Sequence, residues 1–347
     1  MSIRVLIVDD SPTMRAILAA CLSAEPGITV VGAAGDAAEG RELIKLHNPD
    51  VVTLDIEMPG MNGLDFLEKI MTLRPTPVII VSGSTQQGAE TTARALTLGA
   101  IDCYAKADLD AALRSGGPTK LGDLIRQAAQ VRFERRAPGA PSPAASAAVR
   151  TGSAIRAHKP EIIAIGSSTG GVEALQTVLA SFPADCPPTV IVQHVNPRFA
   201  QAIAKTLDAS SPATVTLAEP DMPLRPGHCY LAPGDERHLT VGGVPGKYYA
   251  RLRPGNPVSG HLPSVDMLFG SVAQAVGPRA VGVLLTGMGS DGARGLLAMA
   301  QAGAPTIAQD EATCTVFGMP RAAISLGAAG VVAPLGDIAQ YALGKAA

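Results

Sequence analysis

The sequence predicts two doubly wound α/β domains, each built on a parallel sheet, in a chain of 347 residues. Short apolar runs of strand length alternate with longer stretches whose apolar residues recur at helical spacing, the pattern of strand–helix–strand units. Polar or acidic residues close most of the apolar runs, and on such sheets the carboxyl ends of all parallel strands lie on one rim, where ligands bind. The alternation breaks once, over residues 134–160, where Ala, Pro, Ser, Arg and Gly dominate and only Val149 and Ile155 are large aliphatics. Such a stretch cannot build a core, so it is expected to be a linker between residues 1–133 and 161–347.

In the first domain, Ile3–Val8 reads as a strand ending in Asp9 and Asp10, and Ser11-Pro12 starts a helix carrying Met14, Ile17, Leu18 and Leu22. Strand 29–33 and a helix over 37–47 follow. Strand 50–54 then ends in Asp55, strand 78–81 in Ser82, and strand 101–105 in Lys106. A last helix carries Leu121, Leu124, Ile125 and Ala128. Asp9, Asp10, Asp55, Ser82 and Lys106 therefore converge on one rim. Three carboxylates there repel one another unless a hard dication sits among them, and an all-oxygen donor set without His or Cys suits Mg²⁺. A lysine and a hydroxyl beside it would suit the oxygens of a phosphoryl group.

The second domain opens with strand 162–165, the tight turn Gly166–Gly171 and a helix from Val172. A strand over 187–192 ends in Gln193-His194, and Pro197 and Phe199 open the next helix. Strands near 215–217 and 228–231, a hairpin of 239–241 against 248–252, and a helix near 264–276 come next. Strand 280–285 then leads to Asp291, and strand 305–308 to Asp310. Ser168, in a G-x-S-x-G turn, His194 and Asp291 each follow a strand end. Together they supply a nucleophile, the base that takes its proton, and the carboxylate that orients the base. Their order along the chain is not the Ser, Asp, His of α/β-hydrolases. Asp310 is the rival acid. His47, His158, His228, His238 and His261 are assigned structural or surface roles.

Composition narrows the function. The net charge of -2 gives no electrostatic footprint for nucleic acid, and no segment is apolar over a membrane-spanning length. Cys21, Cys103, Cys186, Cys229 and Cys314 lack metal or disulfide spacing and read as reduced thiols of a cytoplasmic protein. A non-enzymatic alternative, a nucleotide held by the Gly-rich turn, lacks both the G-K-[ST] ending of a P-loop and a ribose-binding acid. A DNA-binding output domain is disfavoured by the absence of a basic recognition helix.

Residues 8–11 (VDDS), 54–63 (LDIEMPGMNG), 81–83 (VSG) and 105–106 (AK) resemble the flavodoxin-like receiver domain of two-component response regulators. The resemblance implies phosphorylation of Asp55 by a histidine kinase. It implies Mg²⁺ held by Asp9, Asp10, Asp55 and the backbone carbonyl of Glu57, with Ser82 and Lys106 reading the phosphoryl group. Two positions depart from the family: Cys103 stands where an aromatic is usual, with Tyr104 beside it, and Ala107 replaces a proline.

Residues 164–171 (AIGSSTGG), 192–194 (VQH), 230–235 (YLAPGD), 263–266 (PSVD), 284–292 (LLTGMGSDG) and 317–321 (FGMPR) resemble the Rossmann-like catalytic domain of chemotaxis protein-glutamate methylesterases. That implies Ser168 as nucleophile, His194 as base and Asp291 as orienting acid, with the backbone N–H groups of Thr169 and Met288 as the oxyanion hole. It also implies methylated chemoreceptors as substrates, with glutamine deamidation as a second activity. Leu262 stands where the family has an arginine, a role that Arg321 is a candidate to fill.

Overall fold

The computed structural model describes residues 2–58, 62–83, 85–109, 119–131, 149–150 and 159–344. The chain divides into two compact units, residues 1–138 and 139–347. Most of the expected linker, and Pro59–Met61 of the loop after Asp55, lie outside the described residues.

The first unit is a five-stranded parallel sheet of β1 (Ile3–Val8), β2 (Ile28–Ala34), β3 (Val51–Leu54), β4 (Val78–Ser82) and β5 (Asp102–Ala105). The strand order is β2-β1-β3-β4-β5, the flavodoxin-like winding. Helices α1 (Pro12–Ser23), α2 (Ala37–His47), α3 (Gly63–Leu73), α4 (Gln86–Thr97) and α5 (Lys120–Ala128) cover it. Their starts are written in the sequence. Ser11, Asp36, Asn62, Thr85 and Thr119 each accept a hydrogen bond from a first-turn N–H, as N-cap side chains do. The core on one face gathers Leu18 and Leu22 of α1 with Leu121, Leu124 and Ile125 of α5. Tyr104 lies in that cluster. Successive strand residues point to opposite faces, so the aromatic ring beside Cys103 cannot take over the position that Cys103 leaves without one.

The second unit holds an eight-stranded sheet ordered β6-β15-β14-β13-β7-β8-β10-β9. Its central strands are β7 (Ile162–Ser167), β8 (Thr189–Gln193), β13 (Ala280–Leu284) and β14 (Thr306–Gln309). β9 (Thr214–Leu217) and β10 (His228–Leu231) complete one side, and β15 (Val331–Ala333) the other. β6, the pair Val149–Arg150, runs antiparallel beside β15, so part of the stretch expected to be linker belongs to this sheet. The hairpin β11 (Arg237–Val244) and β12 (Lys247–Pro254) forms as expected, pairing Leu239 with Leu252 and Val241 with Ala250. The strand expected from Pro187 begins instead at Thr189, because prolines have no N–H for the ladder.

Helices α6 (Gly171–Ala180), α7 (Pro197–Ser210), α8 (Val265–Ala275), α9 (Ala293–Gln301), α10 (Met319–Ser325) and α11 (Leu335–Ala342) flank the sheet. The apolar faces of α8 and α9 meet the sheet through Val265, Leu268, Phe269, Val272 and Leu296, all fully buried. The winding reverses between β13 and β7, which fixes where a site can form. Among the described residues no helix is long and apolar enough to cross a membrane, and all five cysteines are free thiols.

Candidate functional site

Ser168 follows β7, His194 follows β8 and Asp291 lies in the loop after β13, three adjacent strands at the reversal of winding. The turn after β7 is tight. The Ser168 N–H donates to the Thr286 carbonyl (3.0 Å), and its own carbonyl accepts from Gly171 N–H (2.7 Å). Gly170 sits at φ +73°, where a side chain would also run into Thr315. Gly287 has no room for a side chain either: a Cβ there would lie 2.7 Å from the Ser168 Cβ and against the Met319 sulfur. Loop 286–287 is thereby pressed against Ser168. The Thr286 hydroxyl fastens this contact by donating to the Thr169 carbonyl (3.0 Å) and accepting from Val316 N–H (2.9 Å).

His194 Nε2 lies 2.9 Å from Asp291 Oδ2. Its Nδ1 is buried and has no hydrogen-bond partner among the described residues, so it is the ring nitrogen open to a proton from outside the pair. Asp291 is fully buried. Its Oδ1 accepts from the Ser264 hydroxyl (2.7 Å) and from Asp266 and Gly292 N–H (both 3.0 Å), and its Oδ2 also accepts from Val265 N–H (2.7 Å). Ser264 is the N-cap of α8, so the carboxylate occupies the positive end of that helix. Burial pushes the Asp291 carboxyl up, but its bond to His194 and the donors around it hold it below the ordinary carboxylate range.

Asp310 does not compete for His194. It accepts from Thr313 N–H (3.0 Å) and hydroxyl (2.6 Å), closing the turn after β14. His238 is structural, accepting Ser264 N–H on Nδ1 (3.1 Å) with Nε2 3.0 Å from the Asn256 carbonyl. Arg321 is exposed on α10.

Two participants escaped the sequence reading. The buried Gln193 amide accepts from the Ser167 hydroxyl (2.6 Å) and donates to the carbonyls of Ser168 (2.8 Å) and His194 (3.0 Å), tying the first two strand ends together. His261, assigned a structural or surface role, stacks on His194 with ring centroids 3.7 Å apart and planes within 5°. A buried glutamine beside the histidine in VQH was a visible signal; an irregular segment reaching back over a strand end gives none.

In the first unit, single oxygens of Asp9, Asp10 and Asp55 all lie within 4.8 Å of one another. Lys106 Nζ donates to Asp55 Oδ2 (2.6 Å) and stands 2.9 Å from Asp9 Oδ2. Burial pushes the Asp9 carboxyl up, and the lysine only partly counters it. Burial alone would lower the Lys106 amine, yet the two carboxylates raise it. Three clustered carboxylates that offer oxygen donors only, with no histidine or cysteine among them, fit a hard divalent cation. The Ser82 hydroxyl, at the end of β4, donates to the carbonyls of Gly83 (3.3 Å) and Gly88 (3.5 Å). Glu57 N–H donates to Asp55 Oδ1 (3.0 Å).

Fold and sites together define a response-regulator receiver joined to an α/β hydrolase unit. Residues 5–114 match the response regulator receiver domain model, and residues 163–342 match the CheB methylesterase model. The chain belongs to the CheB methylesterase family. It is 54% identical over 326 residues to protein-glutamate methylesterase/protein-glutamine glutaminase 1 of Caulobacter vibrioides, covering 94% of this chain and 93% of that one. It is 52% identical over 345 residues to the Rhizobium etli protein of the same name, covering 98% and 95%. Among solved structures, the Thermotoga maritima CheB methylesterase catalytic domain aligns with a TM-score of 0.51 at 36% identity, over 53% of this chain and 97% of that one. These matches favour the hydrolase over the nucleotide-binding alternative.

Proposed function

We propose that this protein hydrolyses γ-methyl esters of glutamate on chemoreceptors, releasing methanol, and deamidates receptor glutamines by the same route, under control of receiver phosphorylation. The observation that carries the proposal is the His194–Asp291 pair, with Nδ1 of the histidine unpaired, at the strand end next to the one that leads into Ser168. Ser168 Oγ attacks the ester carbonyl as its proton passes to His194 Nδ1. Asp291 stabilises the imidazolium through Nε2. The Thr169 and Met288 N–H groups receive the oxyanion. Collapse expels methanol, which takes the proton from His194 and leaves an acyl-serine. Water, deprotonated by His194, then attacks the acyl carbonyl, and His194 returns that proton to Ser168 as the glutamate carboxyl leaves and ionises, releasing its own proton to solvent. A glutamine follows the same path with ammonia leaving.

In the receiver, Asp55 accepts phosphate from the histidine kinase of a chemotaxis-type system. Asp9, Asp10, Asp55 and the Glu57 carbonyl would hold Mg²⁺, which supplies the positive charge that lets an anionic phosphoryl group approach three acids. Ser82 and Lys106 read the phosphoryl group. Ser82 would do so by turning its hydroxyl away from the Gly83 and Gly88 carbonyls. The setting is the cytoplasm. Methanol release from methylated receptor membranes tests the esterase. Ser168→Ala should fold normally yet retain at most the acceleration of roughly 10³–10⁴ over water left to binding and the oxyanion hole. Retention of more than a few per cent of the wild-type rate would assign the attack to another group, with Ser167 next in line.

A further inference from the structure

On the receiver, away from the acidic rim, α2 and α3 flank an open groove of about 450 Å³. One wall is the stripe Ala37, Ala38, Arg41, Ile44 and Lys45 of α2, the other Phe66, Lys69, Ile70, Leu73 and Arg74 at α3 and its C-cap. Both stripes follow the three- and four-residue spacing that sets side chains on one helical face. The floor is apolar. Phe66 and Ile70 are buried there, and the Phe66 ring comes so close to α2 that a Cβ at Gly40 would lie 3.1 Å from it and 3.3 Å from Val8 of β1. The lip is apolar too, since Leu73 remains 72% exposed. Arg41, Lys45, Lys69 and Arg74 stand among the lining residues and no acid does; Glu42, outside the lining, pairs with Lys45 (2.8 Å), and the other three cations leave the rim positive.

We propose that this groove docks an acidic amphipathic helix of a partner protein. Each wall is a helix of 11 residues, roughly 16 Å long, which matches about three turns of a docked helix. Leucine-type residues at i, i+3, i+4 and i+7 fit the apolar floor, and flanking carboxylates meet the cationic rim. The charge decides against two nearer occupants. The chain's own interdomain stretch carries Arg132, Arg135, Arg136, Arg150, Arg156 and Lys159 against Glu134, so it presents the wrong sign. A second copy meeting the groove face to face would set cation against cation.

The test uses the full-length chain and two labelled three-turn helical peptides with the same leucine stripe, one with glutamates on its remaining positions and one with lysines. Fluorescence anisotropy should show saturable binding of the glutamate peptide, weakening with added salt, and binding of the lysine peptide weaker by about tenfold or more. Arg41→Glu/Lys45→Glu should weaken the glutamate peptide by a similar factor, and Leu73→Ser should weaken it independently of salt. None of these residues belongs to either proposed reaction centre, so labelling of Asp55 by acetyl phosphate should be unchanged in the variants and report an intact receiver fold. No binding of the glutamate peptide, equal binding of the two peptides, or indifference to the double variant would each overturn the proposal.

Discussion

Asp291→Asn is a sharp test of the catalytic arrangement, because every group around the carboxylate is a donor. Five donors converge on two oxygens: His194 Nε2 and Val265 N–H on Oδ2, and the Ser264 hydroxyl with Asp266 and Gly292 N–H on Oδ1. An asparagine must turn its NH₂ toward one set. Facing the Oδ1 set, it opposes two backbone N–H groups, and each buried unsatisfied donor costs about 1–3 kcal/mol. Facing the Oδ2 set, it opposes only Val265 N–H while donating to His194 Nε2. The second orientation is cheaper, and it forces the ring proton onto Nδ1. That is the nitrogen which must accept the serine proton, so turnover should fall by roughly 10⁴-fold while substrate binding survives.

The same substitution should also alter the acid limb of stability. Asp291 is held below its ordinary value in the folded chain, so its contribution is present above the unfolded carboxylate pKa and is lost as pH falls through the folded value. The asparagine variant lacks this titration, and its stability should fall less steeply over that acid interval. Methanol release under saturating substrate, with thermal melts across that pH range, measures both effects. A variant retaining a tenth or more of wild-type turnover would refute the tautomer argument. Damage from Asp310→Asn instead would move the acid to the neighbouring strand end.

Gly287→Ala should impair turnover severely without touching a titratable group, because its methyl would displace Ser168 or the Met319 side chain; wild-type kinetics in this variant would show the two loops to be less tightly apposed. Phosphorylation by acetyl phosphate should require Mg²⁺ and Asp55, so labelling of Asp55→Asn, or undiminished labelling in excess EDTA, would contradict the receiver assignment. Residues 139–347, which keep β6 with its sheet, should alone turn over methylated receptors faster than the unphosphorylated whole chain, and phosphorylation should recover much of the difference. An isolated catalytic unit no faster than the whole chain would rule out inhibition by the receiver.

Strand ends carried most of the legible information. Apolar runs fix where a parallel strand stops, and the next polar residue then lies on a known rim, which is why Asp9, Asp55, Ser82, Lys106, Ser168 and His194 were readable. The choice of acid was harder, since Asp291 and Asp310 both follow strands. What distinguishes them is the start of α8, a segment well removed in sequence that brings Ser264, Val265 and Asp266 onto Asp291. The stack of His261 on His194 depends on a similar long-range return and has no periodicity to announce it. Val149–Arg150 was hidden for another reason. Two residues have no pattern of their own, and their strand exists because the edge of β15 offers hydrogen bonds.

The reversal of winding between β13 and β7 explains the unfamiliar sequence order of the catalytic candidates. The sheet places Asp291, Ser168 and His194 after three neighbouring strands, β13, β7 and β8, with strands spaced roughly 4.8 Å apart. The chain lays down β7 first, winds outward through β8, and returns to add β13 on the other flank, so it spells Ser, His, Asp. Spatial order and spelling are independent. A circular permutant opened between β10 and β13, with the old ends of the catalytic unit joined, would spell Asp, Ser, His while leaving every strand in place. Chemistry of this kind belongs to the arrangement of neighbours in the sheet, and evolution can rewrite the order of its letters without moving a catalytic atom.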